Sequence, residues 1–173
     1  PISGPGAFTG LRVACGLAQG LGWALNLPLI PVNTLLALAY VHHETLEEGA
    51  RLLAAIDARM HECYCAVFRY ENKEFKEVTA PALCKPSELL AIADDNGADF
   101  LCGNAFRIYA DEIGNHAPKK LLSTDDVNAQ MIVPLAQKYF EENKTVDAAE
   151  ASPLYVRDHV ALTIEERKAE KSR

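Results

Sequence analysis

The stretch Gly4-Pro5-Gly6-Ala7-Phe8-Thr9-Gly10-Leu11-Arg12 crowds three glycines and a proline together and runs straight into a helical pattern. Such a loop carries a chain from a strand end onto a helix N-terminus, where free backbone N–H groups can face an anion or a partner. The spacing is not GxGxxG, and no Lys follows as in GxxxxGK[ST], so as a generic phosphate loop the string is weak. Two readings stand at this point: a ligand-facing loop, and a tight turn that lets a helix pack closely.

Downstream, Thr9 is a suitable N-cap for a helix reaching about Leu25. Val13, Ala14, Leu17, Ala18, Leu21, Ala24 and Leu25 recur at helical spacing. Arg12, Cys15, Gly16, Gln19, Gly20 and Trp23 are assigned to a helix face for a partner or a second copy. Gly16 and Gly20 let another backbone come close, and Trp and Arg are frequent interface anchors. Internal packing is the alternative reading of the same small residues.

Charge supports an unusual role for this region. Residues 1–43 hold a single Asp, Glu, Lys or Arg, namely Arg12. A segment this uncharged belongs in a core, an interface or a membrane. A span needs about 20 consecutive apolar residues, and Arg12, Gln19, Asn26, Pro28, Pro31 and Asn33 interrupt. The start is not basic, as a signal peptide requires. No membrane association is therefore expected. The net charge of -7 argues against strong direct RNA binding, which rests on Lys and Arg contacts to phosphate.

Beyond the first helix the pattern predicts a short strand at Leu29–Val32 and a helix from about Leu35 to Val41, capped by Asn33 or Thr34. A change of composition near Gly49-Ala50-Arg51 marks a crossover. A buried strand (Leu52–Ile56) and a hairpin (Glu62–Tyr70, then Glu74–Thr79) follow. A helix capped by Ser87 reaches about Ala93, Phe100–Cys102 is a strand, and a short helix lies around Arg107–Glu112. A longer helix capped by Asp125 or Asp126 runs through about Glu142, with a kink or break at Pro134. Strands alternating with helices and one hairpin indicate an α/β architecture with mixed sheets.

Candidate chemistry is sparse. Asp57 and Arg59 follow a buried strand end, a usual place for active-site groups in α/β folds. Asp57 could hold a metal or polarise a water; it could equally pair with Arg59 or cap the next turn. The adjacent His42 and His43 lack the HxxxH or HExxH spacing of a metal site. The five cysteines, Cys15, Cys63, Cys65, Cys84 and Cys102, complete no zinc pattern and read as reduced, buried thiols. A Cys63/His61 dyad would place its members on opposite faces of a strand. No catalytic residue and no metal ligand is assigned.

The string GPGAFTGLR resembles the GPGSFTGLR signature of the TsaB (YeaZ) family of bacterial tRNA threonylcarbamoyladenosine biosynthesis proteins. Three further segments agree, in family order. Ala54–Arg59 with Glu62-Cys63-Tyr64 is similar to "IDARRGEVY", Leu101–Ala105 to "VGDGA", and Ser152–Arg157 to the closing "PxYLR". Gly4, Pro5, Gly6, Phe8, Thr9, Gly10, Leu11 and Arg12 are then the signature loop, and Asp57, Arg59 and Tyr64 the second-lobe motif. Ala7 departs from the family's usual serine.

The resemblance implies an actin/Hsp70-like two-lobed fold. The family's first "LDTS"-type strand lies before the loop, whereas this chain begins at Pro1, so the first lobe is expected to be truncated at its N-terminus. The implied division is 1–48 for the remainder of that lobe, 49–162 for the second lobe and 163–173 for a charged tail. The implied function is a non-catalytic subunit for threonylcarbamoylation of adenosine 37 in tRNA. It would bind a catalytic TsaD-type paralogue and work with a TsaE-type ATPase. ATP is used by the complex, no cofactor is held by this chain, and tRNA is met only indirectly. Homodimers through the first-lobe helix and a cytoplasmic location are also implied. The alternatives are an actin-like nucleotide-binding ATPase or phosphotransferase, which needs acidic metal ligands on strands outside this chain, and a glycoprotease-like peptidase, which needs a metal triad or a nucleophile–base pair.

Overall fold

The computed structural model describes residues 2–123 and 125–156. Arg157 of the closing motif and the expected tail at 163–173 lie outside the described residues.

Strand β1 (Ile2–Gly4) enters the glycine loop, and helix α1 (Phe8–Leu25) leaves it. The helix starts two residues earlier than expected. Ala7, not Thr9, is the N-cap, and no side chain caps it. The Ala7 carbonyl already accepts the Leu11 N–H at 2.9 Å, so Thr9 falls inside the first turn. Asn26 ends the helix in the left-handed region (φ 53°), its N–H turned back to the Gly22 and Trp23 carbonyls. Asn tolerates that conformation better than most residues.

The expected strand at Leu29–Val32 shrinks to β2 (Val32–Asn33), which pairs parallel with β1. Pro28 and Pro31 carry no N–H and so cannot extend a ladder. Leu29 instead makes an isolated bridge to Val146. Helix α2 (Thr34–Tyr40) follows, capped by Asn33, whose side chain accepts the Leu36 N–H at 3.1 Å.

A six-stranded mixed sheet forms the centre. Strands β3 (Arg51–Asp57) and β4 (Cys63–Glu71) pair antiparallel from Arg51↔Arg69 to Asp57↔Cys63. Along the outer edge of β4 lie β5 (Glu74–Glu77) and β6 (Ala82–Cys84). On the other side of β3, β7 (Phe100–Cys102) and β8 (Lys120–Ser123) run parallel to it. The order is β5-β4-β3-β7-β8, with β6 joined to β4. Strands β6 and β8 are absent from the sequence reading: they are too short for an alternating period, and no Gly- or Asn-containing turn adjoins them as one adjoins the equally short β5 and β7.

The alternation in β4 divides two cores. Tyr64, Ala66, Phe68 and Tyr70 pack with Leu52, Ala54 and Ile56 against Leu35 and Leu38 of α2. Cys63, Cys65 and Val67 pack with Leu53, Ala55 and Leu101 against the elements on the opposite face. Strand β3 is therefore buried on both faces, which is why Leu52–Ile56 reads as an unbroken apolar run.

Helix α3 (Leu89–Asp95) is preceded by a 3-10 turn at Pro86–Glu88. Ser87 lies inside that turn and is not the cap. The Glu88 carboxylate accepts the Lys85 N–H at 2.8 Å. The expected helix at Arg107–Glu112 is two single-turn helices, α4 (Ala105–Ile108) and α5 (Ala110–Ile113). The last helix, α6 (Ala129–Glu141), is capped by Asn128, whose side chain accepts from the Gln130 and Met131 N–H groups at 2.9 and 3.3 Å. Asp126 is bonded to Asn104 and Arg107 instead. Pro134 sits within α6 without ending it. Leu135 beside it is buried against Val32 and Ala37, and this packing holds the helix across the missing hydrogen bond. No helix among the described residues is long and apolar enough to cross a membrane.

Candidate functional site

The glycine loop and the C-terminal end of β3 face each other. Gly4 has φ +122°, and a Cβ there would lie 2.7 Å from the Leu154 carbonyl oxygen, so the loop is closed against the chain's own closing motif. Pro5 is fully buried and Leu11 is buried beneath the loop. Phe8 opens α1, while Thr9 and Gly10 lie exposed in its first turn. Arg12 donates from Nε to the Tyr155 hydroxyl at 2.9 Å, with its guanidinium carbon 5.6 Å from that ring's centre.

Two cavities flank the loop. One of about 320 Å³ is lined by Pro5, Gly6, Thr34, Ile56, Asp57 and Asn104 among others. The other, about 220 Å³, lies between Ala7, Thr9, Arg59, Tyr64 and Tyr155. Tyr64 is buried in the core on the α2 side. The Thr34 hydroxyl is buried with no hydrogen-bond partner among the described residues.

Asp57 is the most heavily engaged polar group at this junction. Its Oδ1 accepts the Tyr109 hydroxyl at 2.7 Å and the Arg59 N–H at 2.9 Å, and its Oδ2 lies 3.4 Å from the Arg59 guanidinium. Its own N–H donates to Asn104 Oδ1 at 2.8 Å. Asn104 Nδ2 donates to Asp126, which also accepts from Arg107 at 3.1 Å. Burial, then the bond to Asp57, pushes the Tyr109 phenol up to about 12. Asp57 thus does the two structural things the sequence allowed it: it pairs with Arg59 and caps the following turn. That turn is strained, with Arg59, Met60 and His61 all at positive φ.

The two members of the Cys63/His61 dyad find different surroundings. His61 Nε2 is 2.6 Å from a Glu112 oxygen. Burial pushes the Cys63 thiol up to about 12. Among the described residues no group of three or more His, Cys, Asp or Glu could hold a metal ion. The part that Tyr109, Arg107, Asp126 and Glu112 play at this junction is not legible in the sequence, because each meets its partner only through the fold. Tyr109 and Asp57 are 52 positions apart.

Helix α1 keeps part of the expected face and turns the rest: Arg12, Gly16, Gly20 and Trp23 are exposed, while Cys15 and Gln19 are not. Its inward face is Leu11, Cys15 and Gly22, with Gln19 half-buried. Cys15 and Gln19 both donate to the Ala151 carbonyl, at 3.4 and 2.9 Å, so these two assigned face residues turn toward the chain itself. Gly16, Gly20 and Trp23 face outward, and nothing lies within 4 Å of a Cβ placed on either glycine. Val13, Leu17 and Leu21, which fit an inward stripe by spacing, are 65%, 64% and 54% exposed, and Trp23 is 77% exposed. Leu25 and Leu27 continue the outward apolar surface.

Similarities to known proteins place this geometry. A family profile described as "TsaD: tRNA N6-adenosine threonylcarbamoyltransferase" matches residues 3–164. The Haemophilus influenzae protein named tRNA threonylcarbamoyladenosine biosynthesis protein TsaB is 33% identical over 167 residues, covering 91% of this chain and 68% of that protein. The Escherichia coli K12 protein of the same name is 35% identical over 163 residues, covering 91% and 69%. A crystal structure of a Pseudomonas aeruginosa protein described as similar to peptidase YEAZ superposes with a TM-score of 0.70 at 33% identity, over 90% of this chain and 71% of that one. The mixed α/β fold is shared with that structure.

Proposed function

Because this chain belongs to the TsaB (YeaZ) family of tRNA threonylcarbamoyladenosine biosynthesis proteins, we propose that it is a partner subunit in the threonylcarbamoylation of adenosine 37 in tRNA and is not itself the catalyst. It presents the outward face of α1 to a TsaD-type paralogue, in a system that includes a TsaE-type ATPase. The observation that carries this reading is the outward apolar surface of Val13, Leu17, Leu21 and Trp23 on a helix whose other face is already packed. Isolated apolar side chains on a surface are ordinary, but a continuous apolar helix face with a Trp at its rim marks a protein–protein contact.

Two further observations support the assignment. Both Asp57 oxygens are engaged by Tyr109 and Arg59, which fits a structural clamp better than a general base. The net charge of -7 fits a subunit that meets tRNA through others. ATP is then consumed elsewhere in the complex, and the site of action is the cytoplasm, where tRNA is modified. A second copy of this chain competes for the same face, giving a homodimer when the paralogue is absent.

The test is co-purification of the tagged full-length protein with a TsaD-type paralogue. Wild type should retain it, and Leu17→Asp and Trp23→Glu should lose it while keeping a wild-type circular dichroism spectrum and melting curve. Retention by both variants would refute the assignment of this face. Threonylcarbamoylation or peptide hydrolysis by the purified chain alone would refute the non-catalytic role.

A further inference from the structure

Three of the five cysteines meet at one place that the proposed function does not use. Cys63 and Cys65 point to the same side of β4, and Cys84 closes β6, the short edge strand beside it. Cys84 is the register partner of Cys63, yet the close sulfur contact is diagonal: Cys84 Sγ donates to Cys65 Sγ at 3.4 Å. All three are free thiols and buried.

We propose that Cys65 and Cys84 are an oxidisable pair, closed to a disulfide by a hydroperoxide, that locks edge strand β6 onto β4. Two sulfurs at 3.4 Å are within about 1.4 Å of bonding distance. Cys65 and Cys84 are diagonal neighbours, about 7–8 Å apart between Cα atoms, so the bond closes only if β6 shifts, and Cys84 is the member placed to move. β6 has only three residues, it forms no ladder on its outer side among the described residues, and Cys84 is its last residue. Short edge strands open locally at low free energy, which admits a molecule as small as a peroxide.

The geometry also separates the two roles. The hydrogen bond donated by Cys84 draws the Cys65 thiol below its ordinary range, and the same bond, with burial, holds Cys84 above it. Cys65 is therefore the attacking thiolate and Cys84 the resolving thiol. The Cys65 thiolate attacks one peroxide oxygen. The O–O bond breaks and hydroxide or alkoxide leaves, giving a sulfenic acid at Cys65. The Cys84 sulfur then displaces hydroxide from that sulfur, and its proton leaves with the hydroxide as water. In sum two thiols lose two electrons, and one hydrogen peroxide becomes two waters.

The test treats the native full-length chain with hydrogen peroxide, then denatures, alkylates and maps it. The expected result is a mass loss of about 2 Da, a fall from five alkylatable thiols to three, and a peptide pair linked through Cys65 and Cys84. A dithiol reductant should reverse it. Cys63→Ser should still cross-link, whereas Cys84→Ser, which keeps a donor to Cys65 but cannot form a disulfide, should stop at a sulfenic acid on Cys65 that a dimedone-type probe captures. Five intact thiols after treatment, or a link through Cys63 in the wild type, would overturn the proposal. The mapping needs no variant, so a variant that fails to fold leaves the test intact.

Discussion

The Tyr109 hydroxyl donates to Asp57 Oδ1 at 2.7 Å, and through it the helical turn after β7 is tied to the end of β3. The same carboxylate caps the left-handed turn at Arg59. One phenol therefore helps hold the strained segment whose Arg59 lines the smaller of the two cavities by the glycine loop.

Tyr109→Phe should lower stability by about 2 kcal/mol, the scale of one hydrogen bond to a charged group, here a carboxylate whose side chain is only 9% exposed. Its pH signature is specific. The phenol is pushed up to about 12 in the folded chain against an ordinary value of about 10. A group that keeps its proton longer when folded stabilises fully below about pH 10, and that contribution is lost as pH rises toward 12. The difference between wild type and Tyr109→Phe in urea unfolding should therefore shrink across that window. A difference that is constant from pH 8 to about 12 would show that the bond is not formed.

The glycines of α1 should separate into two kinds. Gly16 and Gly20 have open space where a Cβ would go, so Gly16→Ala and Gly20→Ala should each stabilise the isolated chain by roughly 0.5–1 kcal/mol through helix propensity. Gly22 is different, because its Cβ would meet Ala148, Leu27 and Leu29 atoms at 3.0 Å. Gly22→Ala should give a net loss of about 1 kcal/mol as overpacking outweighs propensity. Thermal melts of the three variants decide it, and a stabilising Gly22→Ala would disprove the inward packing of that face.

Gly103→Ala should be the most damaging of the single-methyl changes. The residue has φ +112°, and a Cβ would lie 2.0 Å from the Ala55 carbonyl oxygen. Neither backbone can yield, since both sit in the paired strands β3 and β7 or their ends. A loss of about 3 kcal/mol or more follows from combining backbone strain with a core clash. A soluble Gly103→Ala protein melting within a few degrees of wild type would contradict this register.

Capping of α6 provides a direct comparison of sequence and structure. Asn128→Ala should cost about 1 kcal/mol, the usual value for losing an N-cap side chain. Asp125→Ala should leave stability within about 0.5 kcal/mol, as for an ordinary surface change. Urea unfolding monitored by circular dichroism distinguishes them, and the opposite ranking would restore the acidic cap that the sequence suggests.

That cap shows where sequence reading stops. Asp125, Asp126 and Asn128 are all good N-caps by type. Asp126 is excluded from the role because Asn104 and Arg107 already engage it across the fold. The same applies to Thr9, displaced because the loop closing on Leu154 delivers Ala7 to the cap position. Strands β6 and β8 are illegible for a simpler reason: they are too short for a period, no Gly or Asn turn marks their ends as it does for β5 and β7, and neighbouring strands alone make them strands.

The local chemistry of the chain determined its larger plan. Apolar alternation in β4 named the residues on each face, the continuous run Leu52–Ile56 announced a strand buried on both sides, and the glycine-rich string with its three companions identified the family. Helical spacing in α1 likewise established that the segment is a helix. It could not decide which way the helix faces, because Val13, Leu17 and Leu21 form as good an apolar stripe as Leu11, Cys15 and Gly22. Only the tertiary structure resolved that choice. Ala148 and Ala151 return from the far end of the chain to cover the other side, where Gly22 permits close approach and Cys15 and Gln19 find the Ala151 carbonyl. The bulkier stripe is left outward. Contacts between distant segments make that decision, and no local period encodes them.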